Sequence, residues 1–185
     1  MTQFEFVLVF ISIVLAFAVS DILSNWGEQV RLRKQIRHYP LHSAWMGLLL
    51  IIMMVVWWSL WVLREHPQWT FLQYMVLMVP YLTLALIAYI LTPNFDDGER
   101  DIKHYYFENS RWIFSLAAFY FASWTFFSLL VLGNPIDEPG SLTRFCGMAL
   151  MLALAIWNNE RFHAAAVIVA YLLQAIWLLV TLSAA

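Results

Sequence analysis

Two acidic–histidine pairs are the residues whose spacing in this sequence is best suited to chemistry. Asp101 and His104 are separated by two residues, and Glu160 and His163 repeat that spacing. Residues three apart on a helix lie on one face, so each carboxylate and its imidazole can point to one position. Carboxylate-bridged di-metal bundles use Glu-x-x-His pairs in this way. The spacing therefore raises the hypothesis of a metal site built from these four residues.

The same spacing has two other interpretations. A carboxylate and a histidine three apart are common on solvated helix faces, where they form hydrogen bonds and ion pairs. The sequence favours such a structural network, tying neighbouring helical hairpins together. The remaining interpretation is a headgroup, anion or small-ligand site, with Arg111 on the same predicted polar stripe as Asp101 and His104. The metal and ligand hypotheses stay open beside the network.

A second polar group lies near the end of the first apolar segment. Asp21, Asn25 and Glu28 fall at i, i+4 and i+7, on one face of a helix. Ionisable residues near membrane depth usually have a partner. This face is therefore interpreted either as a helix-end cap or ion pair, or as part of a functional polar cluster that could add an oxygen ligand to the metal site.

Composition identifies the elements that must position these residues. Of 185 residues, 63% are hydrophobic and only 12% are charged, whereas a soluble domain is typically about a quarter charged. The long uncharged runs predict an all-α, polytopic transmembrane helix bundle, formed as a single domain over residues 1–185. Six spans are predicted, the fifth of them short: Phe4–Leu23, Ala44–Leu63, Phe71–Leu91, Trp112–Leu132, Leu142–Trp157 and Ala164–Ser183.

The basic residues predict the orientation of these spans. Eight of the ten Lys and Arg residues lie in the first, third and fifth connections, which the positive-inside rule places in the cytoplasm. Both termini are then outside. Residues 24–42 form a basic cytoplasmic flank, expected to continue the first helix towards His38 and to attract anionic lipid. Residues 92–111 form a cytoplasmic amphipathic loop, expected to lead as a helix into the fourth span.

Small residues and a proline shape the predicted spans. Ser12, Ala16 and Ser20 form a small-residue stripe, which indicates close helix packing within the chain or in a homo-oligomer. Pro80 predicts a kink in the third span, with Tyr81 and Thr83 available to satisfy the freed backbone groups. A buried Gln174 is expected to bind a neighbouring helix.

Several cofactors and partners are excluded. No lysine lies within a predicted span, which excludes a retinal Schiff base, and no histidine lies at mid-membrane depth, which argues against a bis-His haem. A single cysteine, Cys146, cannot form an iron–sulfur cluster or an intramolecular disulfide. The net charge of −2 argues against nucleic acid as a partner. Other cofactors are left open.

Four stretches of the chain also carry a resemblance. They are "FAVSDIL", "VVWWSLW", "FDDGERDIKHYYFENSRWIF" and "NNERFHAAAVI". In their order along the chain, they resemble a family of small, uncharacterised, multi-spanning bacterial inner-membrane proteins. The resemblance implies a location in the bacterial cytoplasmic membrane. It implies no activity and no site residues.

Three functions fit these features. The first is a non-enzymatic, oligomeric channel or transporter subunit for a small ion or solute, suggested by the spans, the proline and Asp21. The second is an accessory or scaffold subunit of a larger membrane complex, because large soluble domains are absent from the sequence. The third is a metal site or membrane enzyme at the cytoplasmic face, built on the two acidic–histidine pairs.

Overall fold

The computed structural model describes residues 2–65, 69–95, 101–133 and 139–183, and within these ranges the fold is helical, without named strands. Five of its helices are long and apolar enough to cross a membrane, and α5 is shorter. This confirms the all-α bundle with a short fifth segment. The α-helices are α1 (Gln3–Arg31), α2 (Pro40–Ser59, continued by a 3₁₀ turn, Leu60–Glu65), α3 (Phe71–Leu91), α4 (Ile102–Leu130), α5 (Pro139–Ile156) and α6 (Glu160–Ser183).

The six helices pack as a closed ring. In spatial order the ring runs α1, α3, α4, α5, α6, α2 and back to α1, and α2 also contacts α3 and α4. Helix packing buries large aromatic side chains completely, among them Tyr81 on α3 and Tyr106, Phe114 and Phe127 on α4. The outward surfaces are apolar, with side chains such as Phe17, Tyr89 and Leu130 exposed. An apolar exterior of this kind is suited to hydrocarbon rather than to water.

The connections predicted to share one side of the membrane lie at one end of the bundle. The backbone of Arg37 pairs with Asp101, and Ile102 donates its N–H to the Arg37 carbonyl at 3.3 Å. The short connection at residues 157–159 joins the same region, because Lys103 contacts Glu160. We call this end, with residues 32–39, 92–95, 101 and 157–159, the loop end. Its cytoplasmic location stays a prediction.

One helix boundary differs from the sequence prediction, and another agrees with it. Helix α1 ends at Arg31 instead of continuing towards His38, because the chain turns at Leu32, whose carbonyl accepts from Gln35 and Ile36. This turn allows Arg37 to reach the beginning of α4. Helix α4 begins at Ile102, well before the predicted fourth span, and continues into it without a break. The predicted helical entry is thus present from residue 102, while residues 96–100 lie outside the described residues.

The small-residue stripe of α1 faces its own chain only in part, because Ser12 is half-buried and accepts from the Trp57 indole N–H of α2 at 3.0 Å. Ala16 and Ser20 are exposed, whereas Ile11, Leu15 and Ile22 are buried. Large apolar side chains of α1 therefore pack within the chain beside Ser12 and the small, buried Ala18. A homo-oligomer interface on this stripe stays a prediction.

Pro80 lies inside α3, which runs through it as one helix. Proline lacks an N–H, so the carbonyl four residues earlier, at Val76, loses its helical donor. The Thr83 hydroxyl donates instead to the Val79 carbonyl, at 2.7 Å. The Tyr81 hydroxyl is buried without a hydrogen-bond partner among the described residues. The expectation that these two side chains satisfy the freed backbone group is therefore wrong, and the kink itself stays a prediction.

Candidate functional site

The carboxylate of Glu160 joins three segments at the loop end. The Lys103 ammonium on α4 contacts Oε2 at 2.6 Å, and the Tyr39 hydroxyl donates to Oε1 at 3.2 Å. Burial, together with the nearby negative charge of Glu160, raises the pKa of Tyr39. Tyr39 therefore stays protonated and acts as a donor. Glu160 begins α6, so these contacts tie α4 and α6 to the segment before α2.

Asp101 is the N-cap of α4. Its Oδ1 accepts from the backbone N–H groups of Lys103, at 3.0 Å, and His104, at 3.2 Å. Its Oδ2 accepts from the Arg37 guanidinium at 3.0 Å. The His104 N–H, followed by the charge of Arg37, lowers the pKa of Asp101. The carboxylate is thus engaged in starting a helix and holding the segment after α1.

The two histidines of the acidic–histidine pairs lie in different environments. The imidazole of His104 is exposed, and its nearest charged partner is Glu108, at 3.7 Å. His163 is fully buried. Its Nε2 lies 3.1 Å from the Trp157 carbonyl and its Nδ1 lies 2.7 Å from the Tyr106 hydroxyl. Because a carbonyl can only accept, the proton is on Nε2, and Nδ1 accepts from Tyr106.

These contacts do not assemble the predicted metal site. Asp101 binds helix N–H groups and Arg37, Glu160 binds Lys103, and both nitrogens of His163 are occupied. Across the described ranges, His, Cys, Asp and Glu side chains form no group of three that could hold a metal ion. The metal hypothesis for Asp101, His104, Glu160 and His163 is therefore corrected to the hydrogen-bond and ion-pair network. Arg111 is exposed on α4.

The polar face predicted on α1 is divided by the fold. Asn25 is buried and donates from Nδ2 to the Pro93 carbonyl at 2.7 Å. Gln29, one turn later, donates to Asn25 Oδ1 at 2.8 Å and is also buried. Asp21 is exposed and Glu28 is only partly buried. The inward polar pair is thus Asn25 with Gln29, and the i+4 spacing of these two amides was the sequence signal for it.

His42 is a buried residue that the sequence reasoning missed. It lies in the first turn of α2, and its Nε2 donates to the Leu91 carbonyl at the end of α3, at 2.7 Å. With Asn25 on the Pro93 carbonyl, two side chains satisfy backbone acceptors where α3 ends. The signal in the sequence is a histidine that directly follows Pro40 and Leu41, before a long apolar run. The sequence could not show that α3 ends beside His42.

A cavity of 390 Å³ lies between α2, α3, α4, α5 and α6. The residues of α2 that line it extend from Trp45 to Ser59, which corresponds to about 21 Å at about 1.5 Å per residue. The cavity is therefore elongated along the helices. Most of its wall is apolar, with Leu48, Ile113 and Met151 among the lining residues.

The two ends of the cavity differ in chemistry. At the loop end it is lined by Trp45 and Phe114, whose rings lie 5.0 Å apart, and His163 packs against Phe114 at 5.2 Å. At the opposite end polar groups join the wall. They come from four different helices: Ser59, Ser128, Thr143, Arg144 and Gln174.

Arg144 is held at the opposite end by its own helix. Its Nε donates to the Gly140 carbonyl at 3.2 Å, and its Nη2 donates to the Ser141 hydroxyl at 3.0 Å. These bonds orient the guanidinium beside the cavity. Gln174, which lines the same end from α6, makes no hydrogen bond to any other described residue. The sequence prediction that it binds a neighbouring helix is not supported by these contacts.

Comparison with known proteins gave no match: no protein-family model, curated protein or solved structure is similar to this chain at a significant level. The chain's own fold and cavity must therefore define its class. Five apolar helices of spanning length define a multi-pass α-helical membrane protein. One distinguishing feature is an elongated cavity between the helices, apolar along most of its wall and polar at one end.

Proposed function

We propose that this chain is a non-enzymatic membrane protein that binds a small hydrophobic or amphiphilic solute, as a transporter or transporter subunit in the bacterial cytoplasmic membrane. The elongated cavity carries this proposal. Its volume of 390 Å³ falls within the range of about 300–1,000 Å³ typical of small-molecule sites. A mainly apolar wall with a few polar groups at one end is also typical of such sites.

The lining favours a solute over a hydrated ion. An ion path needs polar groups or water along its length, whereas the middle of this cavity is lined by side chains such as Leu49, Ile52 and Ala117. Trp45 and Phe114 occupy the loop end, so passage of a solute requires these side chains to move. Transport then needs a conformational change or further copies of the chain, in keeping with an oligomeric transporter.

The basic flank suits the proposed membrane location. Arg31, Arg33 and Lys34 are exposed at the loop end, while Arg37 is paired with Asp101. Exposed basic side chains beside a membrane surface attract anionic lipid. We therefore keep anionic lipid at residues 24–42 as a proposed partner.

A pair of matched variants tests solute binding. Ala117→Phe places a ring in the cavity, whereas Ala16→Phe adds the same ring to the exposed face of α1. Saturable binding of a radiolabelled long-chain alkyl alcohol is measured with the protein in nanodiscs. We expect Ala117→Phe to weaken binding about tenfold or more, equivalent to about 1.4 kcal/mol, and Ala16→Phe to leave it unchanged. Absence of saturable binding, or equal effects of both variants, would overturn the proposal.

A further inference from the structure

We propose that a soft monovalent metal ion of the Cu⁺ type binds between α1, α2 and the end of α3. Its ligands are the imidazole of His42 and the thioether of Met46, with the amide oxygen of Gln29 as a third donor. The inference goes beyond the proposed function, because none of these three side chains lines the cavity. It is carried by a ring of buried contacts that contains two unpartnered acceptor atoms.

The ring of contacts joins three helices next to the loop end. His42 on α2 and Asn25 on α1 each donate to a backbone carbonyl where α3 ends, both at 2.7 Å. Gln29 donates to Asn25 Oδ1 at 2.8 Å and also reaches the Met46 sulfur, at 3.8 Å. Met46 follows His42 by one helical turn, which places their Cβ atoms about 5–6 Å apart and closes the ring.

Two acceptor atoms of this ring have no hydrogen-bond partner among the described residues. They are Oε1 of Gln29 and Nδ1 of His42. His42 and Met46 are completely buried, and Gln29 is only 4% exposed. Buried polar atoms are normally satisfied. The ring therefore suits a small ligand that carries positive charge or donates hydrogen bonds.

The imidazole of His42 is already in the form that binds a metal. Its Nε2 contacts the Leu91 carbonyl, which can only accept, so the proton is on Nε2 and Nδ1 carries the lone pair. Metal-binding histidines usually donate their other N–H to a carbonyl or carboxylate, which fixes the ring. Nδ1 is bonded to Cγ, so with Nε2 on α3 it stays beside α2, one turn from Met46. Binding through Nδ1 requires no loss of a proton.

The types of ligand select the class of ion. A thioether prefers soft ions such as Cu⁺, and imidazole also binds copper. No side chain of the ring is acidic, and burying an uncompensated charge costs far more for a divalent than for a monovalent ion. Helices α1 and α3 end here and α2 begins, so two negative helix ends oppose one positive end. These features together favour a soft, singly charged cation.

The test measures Cu⁺ binding to the full-length protein in detergent. A Cys146→Ser background removes the exposed thiol, and Cu⁺, kept reduced by ascorbate under nitrogen, is titrated against a chromogenic Cu⁺ chelator. We expect one Cu⁺ ion per chain, with nitrogen and sulfur scatterers in its X-ray absorption spectrum. Met46→Leu should weaken binding about tenfold or more and remove the sulfur scatterer. Met53→Leu, at a buried methionine of the same helix, should change neither.

The other occupant that this ring suits is a water molecule, which donates to both acceptors but makes no use of the Met46 sulfur. Absence of a sulfur scatterer, or equal effects of Met46→Leu and Met53→Leu, overturns the metal site and favours water. Tighter binding of Zn²⁺ than of Cu⁺ overturns the soft monovalent class. His42→Gln should also weaken Cu⁺ binding. If that variant does not fold, Met46→Leu still decides, because it nearly conserves volume. Each of these outcomes leaves solute binding in the cavity intact.

Discussion

The hydroxyl of Tyr106 on α4 donates to Nδ1 of His163 on α6 at 2.7 Å, and both side chains are fully buried. The two helices are separated by α5 in the ring, so this bond links them across the loop end of the bundle. Phe114, which contacts both rings, also lines the cavity. The buried pair thus supports the wall that closes the cavity at the loop end.

Removing the Tyr106 hydroxyl should destabilise the fold. Tyr106→Phe leaves a buried histidine nitrogen without its donor, a change that costs about 1–3 kcal/mol. His163→Phe leaves the Tyr106 hydroxyl without its acceptor, and the Trp157 carbonyl keeps only the Asn159 N–H. Because the residues are in contact, the double variant should lose less stability than the sum of the single variants. Thermal unfolding in detergent, followed by circular dichroism, measures this, and strictly additive losses would contradict the bond.

The buried amides of Asn25 and Gln29 should contribute more to the stability of the fold than the exposed carboxylate of Asp21. Asn25→Ala removes the donor to the Pro93 carbonyl and the acceptor for Gln29, so we expect a loss of about 1–3 kcal/mol. Asp21→Asn, one turn earlier on an exposed side chain, should leave the melting temperature unchanged. Equal melting temperatures for the two variants would show that the Asn25 contact is not the structural link described here.

The Asp101 cap should make stability depend on pH. Hydrogen bonds from helix N–H groups and the charge of Arg37 lower the pKa of Asp101 in the fold below its ordinary 3.8. The carboxylate therefore contributes stability above the unfolded-state pKa, and the contribution is lost as the pH falls through the lower folded-state pKa. Asp101→Asn should melt at a lower temperature than wild type at neutral pH. The difference should shrink below about pH 4, and a difference independent of pH would contradict the cap's charge.

Two glycines of the helices should respond oppositely to alanine. A Cβ atom on Gly147 would lie 2.7 Å from the Phe121 ring, where α5 packs on α4. Gly147→Ala should destabilise the protein by about 1–3 kcal/mol, through overpacking. Gly27 has open space around it within α1, so Gly27→Ala should stabilise by about 0.4–1 kcal/mol. Chemical or thermal unfolding of both variants checks the signs, and a stabilising Gly147→Ala would show that the helices can separate without loss.

The sequence could predict the helices because the length and apolar composition of each run are enough to predict a membrane-spanning helix. The short α5 and the early helical start of α4 were both readable from local residues. The pairing of helices could not be predicted from local residues, because no local residue shows that α4 and α6 lie close to each other. For this reason Glu160-x-x-His163 suggested two ligands for one ion, while the fold leaves Glu160 at the surface and buries His163 beside Tyr106.

The same limit explains the other differences. Asp21, Asn25 and Glu28 share a helical face in the sequence, but the neighbouring α3 covers only the part that includes Asn25. The environment of His42 depends on where α3 ends, which lies about fifty residues away along the chain. The cavity is formed by five helices together. A single segment carries no signal for a space that exists only between segments.

The position of the bound tail tests the central claim most directly. A long-chain alkyl alcohol with a photoreactive diazirine at the end of its tail is bound to the protein in nanodiscs and irradiated, and the labelled residues are mapped by mass spectrometry. With the tail inside the cavity, we predict labelling of the lining residues Leu48, Ile113 and Met151, suppressed by excess unlabelled alcohol. Labelling confined to outward-facing residues such as Met54, Phe119 and Leu172 would contradict a ligand between the helices.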